Sequence, residues 1–74
     1  MRKLTNTVLL RDAVAKAGLK YKFIAEELHI TPYGLQKKID NQTEFKGSEI
    51  GKLTEILNLS ETERSNIFFA KKGD

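Results

Sequence analysis

The stretch that decides the fold is Tyr21–Asp40, YKFIAEELHITPYGLQKKID. Its first part reads as a helix over 21–28, with Ile24, Ala25 and Leu28 facing inward and Lys22, Glu26 and Glu27 facing out. His29-Ile30-Thr31 breaks that pattern. Thr31 is a good N-cap, and Pro32 falls at the first helical position, where a missing N–H costs nothing. A second helix is therefore expected from Pro32 to about Asp40. Leu35 and Ile39, one turn apart, form its inner side, while Tyr33, Gln36, Lys37 and Asp40 point elsewhere. Two short helices that cross steeply need a small residue at the crossing, an apolar plug in the turn and an apolar anchor on the second helix. Ala25, Ile30 and Leu35 supply these.

The flanking segments read as three more helices. Before the decisive stretch, Leu10, Ala13, Val14 and Ala17 form one stripe of a helix over 7–17, and Gly18 stops it with Leu19 packing back. After it, a loop over 41–47 carries one apolar anchor, Phe45. Ser48 is expected to cap a fourth helix running to about Leu57, with Ile50, Leu53 and Leu57 inward and Asn58 as a left-handed stop. Ser60 and Glu63 form a capping box that opens a fifth helix carrying Ile67, Phe68 and Phe69. No segment alternates polar and apolar residues long enough to predict a strand. The expectation is an all-α, compact bundle of about five short helices in a single domain over 1–74, with 1–6 and 71–74 as flexible ends.

Composition narrows the function classes. The chain has 74 residues, no cysteine and one histidine, His29, so disulfides, thiolate metal sites and a Cys–His nucleophile are excluded. No cofactor is expected. His29 reads as a turn residue, with no nucleophile beside it to activate, so an enzyme is not expected. Apolar runs reach only three or four residues, which gives neither a membrane span nor the core of a secretory leader. The net charge is +3, but its placement says more than its size. Lys20, Lys22, Lys37, Lys38 and Lys46 lie between 20 and 46, and Glu55, Glu61 and Glu63 fall in the last third.

The run Ile24-Ala25-Glu26-Glu27-Leu28-His29-Ile30-Thr31 resembles the L-A-x-x-L-G-V-S core of the lambda-repressor and Cro-like helix-turn-helix family. The downstream pattern of Phe45, Ile50, Leu53, Leu57, Ser60 and Ile67-Phe68-Phe69 is similar to small phage-type Cro or repressor proteins, so the resemblance covers about 8–70. The chain departs from that pattern at His29, where the family usually has glycine, and at Lys38, where it often has a large apolar residue. The resemblance implies a sequence-specific regulator of transcription that binds a double-stranded DNA operator, as a homodimer, in the cytoplasm of a bacterial host. The third helix would enter the major groove.

On that footing Thr31, Pro32, Tyr33, Gln36 and Lys37 are the candidates for base contact. Lys20, Tyr21, Lys22, Lys38, Asn41, Gln42, Thr43 and Lys46 are the candidates for phosphate contact, with Arg2 and Lys3 as further cations near the N-terminus. Gly34 is read as a place where the backbone approaches DNA closely. Ile67, Phe68 and Phe69 are adjacent, and one helix face does not bury all three, so they are candidates for a dimer interface. The competing reading is a protein-interaction module, an anti-repressor or modulator that binds another phage repressor.

Overall fold

The computed structural model describes residues 3–71. Its helices are α1 (Thr7–Ala17), α2 (Tyr21–Glu27), α3 (Pro32–Ile39), α4 (Gly47–Ile56) and α5 (Glu61–Phe68). The five-helix reading of the sequence is thus met, with bounds within a residue or two of those expected.

Four of the helices stop by one device. At the ends of α1, α2, α3 and α4 the chain passes through Gly18, His29, Asn41 and Asn58, all at positive φ between 53° and 70°. The left-handed step turns two N–H groups back onto the last turn. His29 N–H donates to Glu26 O (3.1 Å) and Ile30 N–H to Ala25 O (3.0 Å). Asn41 to Lys38 and Gln42 to Lys37 repeat the pattern, as do Asn58 to Glu55 and Leu59 to Thr54. This is the Schellman arrangement, and it satisfies carbonyls that a helix end leaves orphaned. The residue just past each left-handed one is apolar in three cases, Leu19, Ile30 and Leu59, and each packs against the core. His29 and the two asparagines carry a Cβ into this region, at a cost of about 1 kcal/mol relative to glycine.

The starts are more varied. Asn6, Thr31 and Ser60 accept the backbone N–H of Leu9, Gly34 and Glu63 at 3.0 to 3.1 Å. Helix α4 departs from expectation: it begins at Gly47, and Ser48 lies inside its first turn and does not cap it. Its cap comes from the third helical position, where Glu49 Oε1 accepts the Lys46 N–H at 2.8 Å.

At α5 the reciprocal box forms, with Glu63 Oε1 accepting Ser60 N–H at 2.8 Å. Those hydrogen bonds, from the Ser60 backbone first and its hydroxyl second, hold the Glu63 carboxyl below its ordinary value, helped by the charge of Lys16. A carboxyl whose folded value is depressed stabilises the fold fully above its unfolded value and loses that contribution as pH falls through the folded one. Glu63→Gln is therefore expected to flatten the acid limb of a melting-temperature profile below the ordinary carboxylate range and to change little of its shape at higher pH.

The core gathers Leu10 and Val14 of α1, Ile24 and Ala25 of α2, Leu28, Leu35 and Ile39 of α3, Leu53 of α4, Leu57, and Ile67 and Phe68 of α5. Phe45, the loop anchor, meets Phe68 edge to face with ring centroids 5.5 Å apart. Helix α2 packs most closely on α3, and α1 on α5. Ala25 at the α2–α3 crossing is fully buried, Leu35 is 1% exposed, and Ile30 fills the turn between them.

One expectation, the absence of strands, is corrected. Lys3–Leu4 (β1) pairs antiparallel with Ala70–Lys71 (β2), Lys3 opposite Lys71 and Leu4 opposite Ala70. A two-residue strand is too short to show alternation, and its pairing joins the two ends of the chain, so no local pattern announces it. Residues 3–6 of the expected flexible N-terminal end and 71 of the C-terminal one thus have backbone partners in the fold. Asn6 N–H donates to Ile67 O at 2.6 Å, and the Asn41 side chain spans the Thr5 backbone, accepting from its N–H and donating to its carbonyl, both at 2.9 Å. Residues 1–2 and 72–74, the rest of those expected flexible ends, lie outside the described residues.

Candidate nucleic-acid interface

Helix α3 has two distinct sides. Leu35 and Ile39 are each 1% exposed and lock one side into the core. A turn of 100° per residue then carries Tyr33, Gln36, Lys37 and Asp40 onto the opposite arc. Among the described residues Tyr33 is the most exposed large hydrophobic side chain, at 74%. Gln36 is exposed and Lys37 half-buried, because the lysine folds back with its Nζ 5.5 Å from the centre of the Tyr33 ring. Of the five candidates for base contact, Tyr33, Gln36 and Lys37 share the outward arc, while Thr31 and Pro32 are exposed at the start of the helix.

Gly34 has a local reason that the sequence reading missed. A Cβ there would lie 3.3 Å from Thr31 Oγ1, the oxygen that accepts the Gly34 N–H. The glycine makes room for the cap.

The outward arc of α3 also carries an acid. Asp40 Oδ2 accepts from Gln36 Nε2 at 3.0 Å, and Asp40 Oδ1 accepts from Arg11 Nη2 of α1 at 3.2 Å. The Gln36–Asp40 spacing of four is legible in sequence. The Arg11 contact, 29 residues distant, is not.

The candidate phosphate residues divide. Lys20, Tyr21, Lys22, Gln42, Thr43 and Lys46 are exposed. Lys20 stands at the start of α2 and offers no side-chain cap, so the first-turn N–H groups of α2 face outward without an acceptor from Lys20. Two others are committed elsewhere. Lys38 was expected to reach a phosphate along the surface. Instead its Nζ lies 3.1 Å from Glu49 Oε1 and donates to Glu44 O at 3.0 Å, over the face of Phe45. The pair is nearly buried, the side chains being 12% and 7% exposed. Lys38 sits one residue before Ile39, which turns it toward α4 and away from the outward arc. Asn41 is the second correction, since both ends of its amide are taken by Thr5. Arg2 lies outside the described residues, and of Lys3 only the backbone is described.

The expected dimer surface is also corrected. Ile67 and Phe68 are 3% and 4% exposed, inside the chain's own core. Helix α5 ends at Phe68, and Phe69 follows at φ −126°, outside helical progression. That change of direction lets all three residues pack, with Phe69 half-buried beneath the Arg64 guanidinium, 5.7 Å from its ring centre. Among the described residues, the large apolar side chains left outside are Val8, Leu9, Tyr21, Phe23 and Tyr33.

Among the described residues, no three of His, Cys, Asp and Glu cluster to hold a metal, and no helix is long and apolar enough to cross a membrane. No known protein family, no characterised protein and no solved structure matches the chain.

Proposed function

We propose that this chain is a double-stranded-DNA-binding protein of helix-turn-helix type, with α2 and α3 as the motif and α3 as the reader. One observation carries the reading: α3 is anchored by Leu35 and Ile39 on one side and presents Tyr33, Gln36 and Lys37 on the other. A major groove admits one helix and distinguishes base pairs by their hydrogen-bonding edges. Cations that form no ion pair among the described residues flank this surface in sequence: Lys20, Lys22, Lys37 and Lys46. Backbone contacts from Lys20, Tyr21, Lys22, Gln42, Thr43 and Lys46 would fix the register.

More particularly, we assign it to the phage Cro or repressor type of the lambda-repressor-like fold, a regulator of transcription acting as a homodimer on a palindromic operator in a bacterial cytoplasm. This finer assignment rests on the sequence resemblance over 24–31 and on the His29 turn, which takes the left-handed conformation (φ 60°) that the family usually gives to glycine.

Selection of bound sites from random duplex DNA tests the reading, followed by titration of one selected site at several salt concentrations. Affinity is expected to fall steeply with salt, since each neutralised phosphate releases a counterion. Lys22→Ala is expected to weaken all sequences alike and to lower the log–log salt slope by about 1. A salt-independent interaction, or failure to enrich any sequence, would sink the proposal.

The second reading is a module that binds another repressor. Val8 and Phe23, exposed at 69% and 43%, favour it, because neither is needed for DNA contact. Co-purification with a second regulator, without duplex binding, is the result that selects it.

A further inference from the structure

A helix leaves its last carbonyls without partners of its own. At the end of α3 two of them are met locally, Lys37 O by the Gln42 N–H at 2.8 Å and Lys38 O by the Asn41 N–H at 3.2 Å. The next, Ile39 O, is met from another helix: the Thr7 hydroxyl, in the first turn of α1, donates to it at 2.6 Å. Two residues past Ile39, the Asn41 side chain accepts the Thr5 N–H and donates to the Thr5 carbonyl, both at 2.9 Å. These three bonds are part-buried. The Arg11–Asp40 pair beside them is exposed and adds little. The segment they come from is itself fixed, since the Asn6 N–H donates to Ile67 O at 2.6 Å and Leu4 pairs with Ala70.

From these contacts we infer that Thr7 and Asn41 are positioning residues for DNA reading, an inference that rests on the DNA-binding proposal above. They tie the C-terminal end of α3 to residues 5–7 and so fix the direction in which Tyr33, Gln36 and Lys37 project. Apolar contact through Leu35 and Ile39 sets how deeply α3 sits, but such contact is non-directional. Hydrogen bonds are directional, and these join the helix end to a third element besides α2 and the Glu49 partner on α4. A reader already held in its docking orientation gives up less freedom when it meets DNA, so it binds more tightly than a loose one. Neither residue has to touch the duplex, because both act through α3.

The test compares the wild-type chain with Thr7→Val, Thr7→Ser and Asn41→Gly, binding one selected duplex well below the melting temperature. Valine keeps the shape of threonine without the hydroxyl, and serine keeps the hydroxyl. Glycine removes the Asn41 amide yet suits the left-handed backbone at φ 66°, which offsets part of the lost stability and keeps the chain folded. Thr7→Val and Asn41→Gly are each expected to weaken binding by about three- to tenfold, the factor that one net hydrogen bond supports, at an unchanged log–log salt slope. Amide hydrogen exchange at Asp40 and Gln42 should quicken in both free variants, and Thr7→Ser should restore both measures. A purely structural role lowers the melting temperature but leaves binding by the folded chain unmoved. Wild-type affinity in both variants would therefore overturn this inference and leave DNA reading intact. A salt slope lowered by about 1 would make the altered residue a phosphate contact and overturn it as well. So would unchanged exchange at Asp40 and Gln42, or a Thr7→Ser chain that binds as weakly as Thr7→Val. A wild-type chain that selects no duplex overturns both proposals.

Discussion

Lys38→Met is expected to destabilise the fold by about 3 kcal/mol, because it strips a nearly buried carboxylate of its cation. Glu49 is 6% exposed and is the only charged residue in the interior among the described residues. Its Oε1 also caps α4 through the Lys46 N–H, so it has no means of turning outward without uncapping the helix. Lys38 serves it twice, by charge at 3.1 Å and by tying down the Glu44 carbonyl in the loop before α4. For a chain of 74 residues such a loss is a large share of the total margin. Urea or thermal unfolding reads it directly. The double change Lys38→Met with Glu49→Gln should recover most of the loss, since the glutamine oxygen still caps α4 while the buried charge is gone. A Lys38→Met protein as stable as the wild type, with weakened duplex binding, would return Lys38 to the phosphate clamp.

The same pair shows what the sequence could and could not disclose. Periodicity located every helix, because the apolar stripes Leu10–Val14, Leu35–Ile39 and Leu53–Leu57 repeat on helical spacing. The stops were legible where the left-handed residue was glycine, asparagine before an apolar residue, or histidine between a helix and a Thr-Pro start. Asn41 was missed because Gln42 follows it and supplies no apolar signal. What failed was the fate of particular side chains. Lys37 and Lys38 are neighbours of one type, yet one helical step sends Lys37 over Tyr33 and Lys38 inward to Glu49. Only the partner on α4 distinguishes them, and that partner was hidden by reading Ser48 as the cap. Arg11 with Asp40, and Thr5 with Asn41, are likewise matched across about thirty residues or more, beyond the reach of any local rule. The three apolar residues at the end of α5 misled for a related reason: the helix stops before the third, so the geometry that seemed to forbid burying all of them does not apply.

Lys37 is where the functional reading meets its strongest test. It lies on the outward arc of α3, and its amine rests on the Tyr33 ring rather than on any carboxylate among the described residues. A lysine there is suited to guanine, donating to O6 and N7 together. Lys37→Ala is expected to cost about 1–3 kcal/mol of discrimination at one base pair, roughly a 5- to 150-fold loss of preference at that position. Preference at other positions should hold, and so should the salt slope, because no phosphate contact is lost. Stability should change by less than about 0.5 kcal/mol, since the side chain supports no buried group. Competition titrations with single-base variants of a selected site measure all three quantities. Lys22→Ala provides the opposite pattern, with a lower slope and unaltered preference. If Lys37→Ala instead weakens every sequence equally, the lysine is one more phosphate contact. The reading surface would then be confined to Tyr33, Gln36 and the start of α3, which is too little to specify an operator without a second copy of the chain on the same DNA.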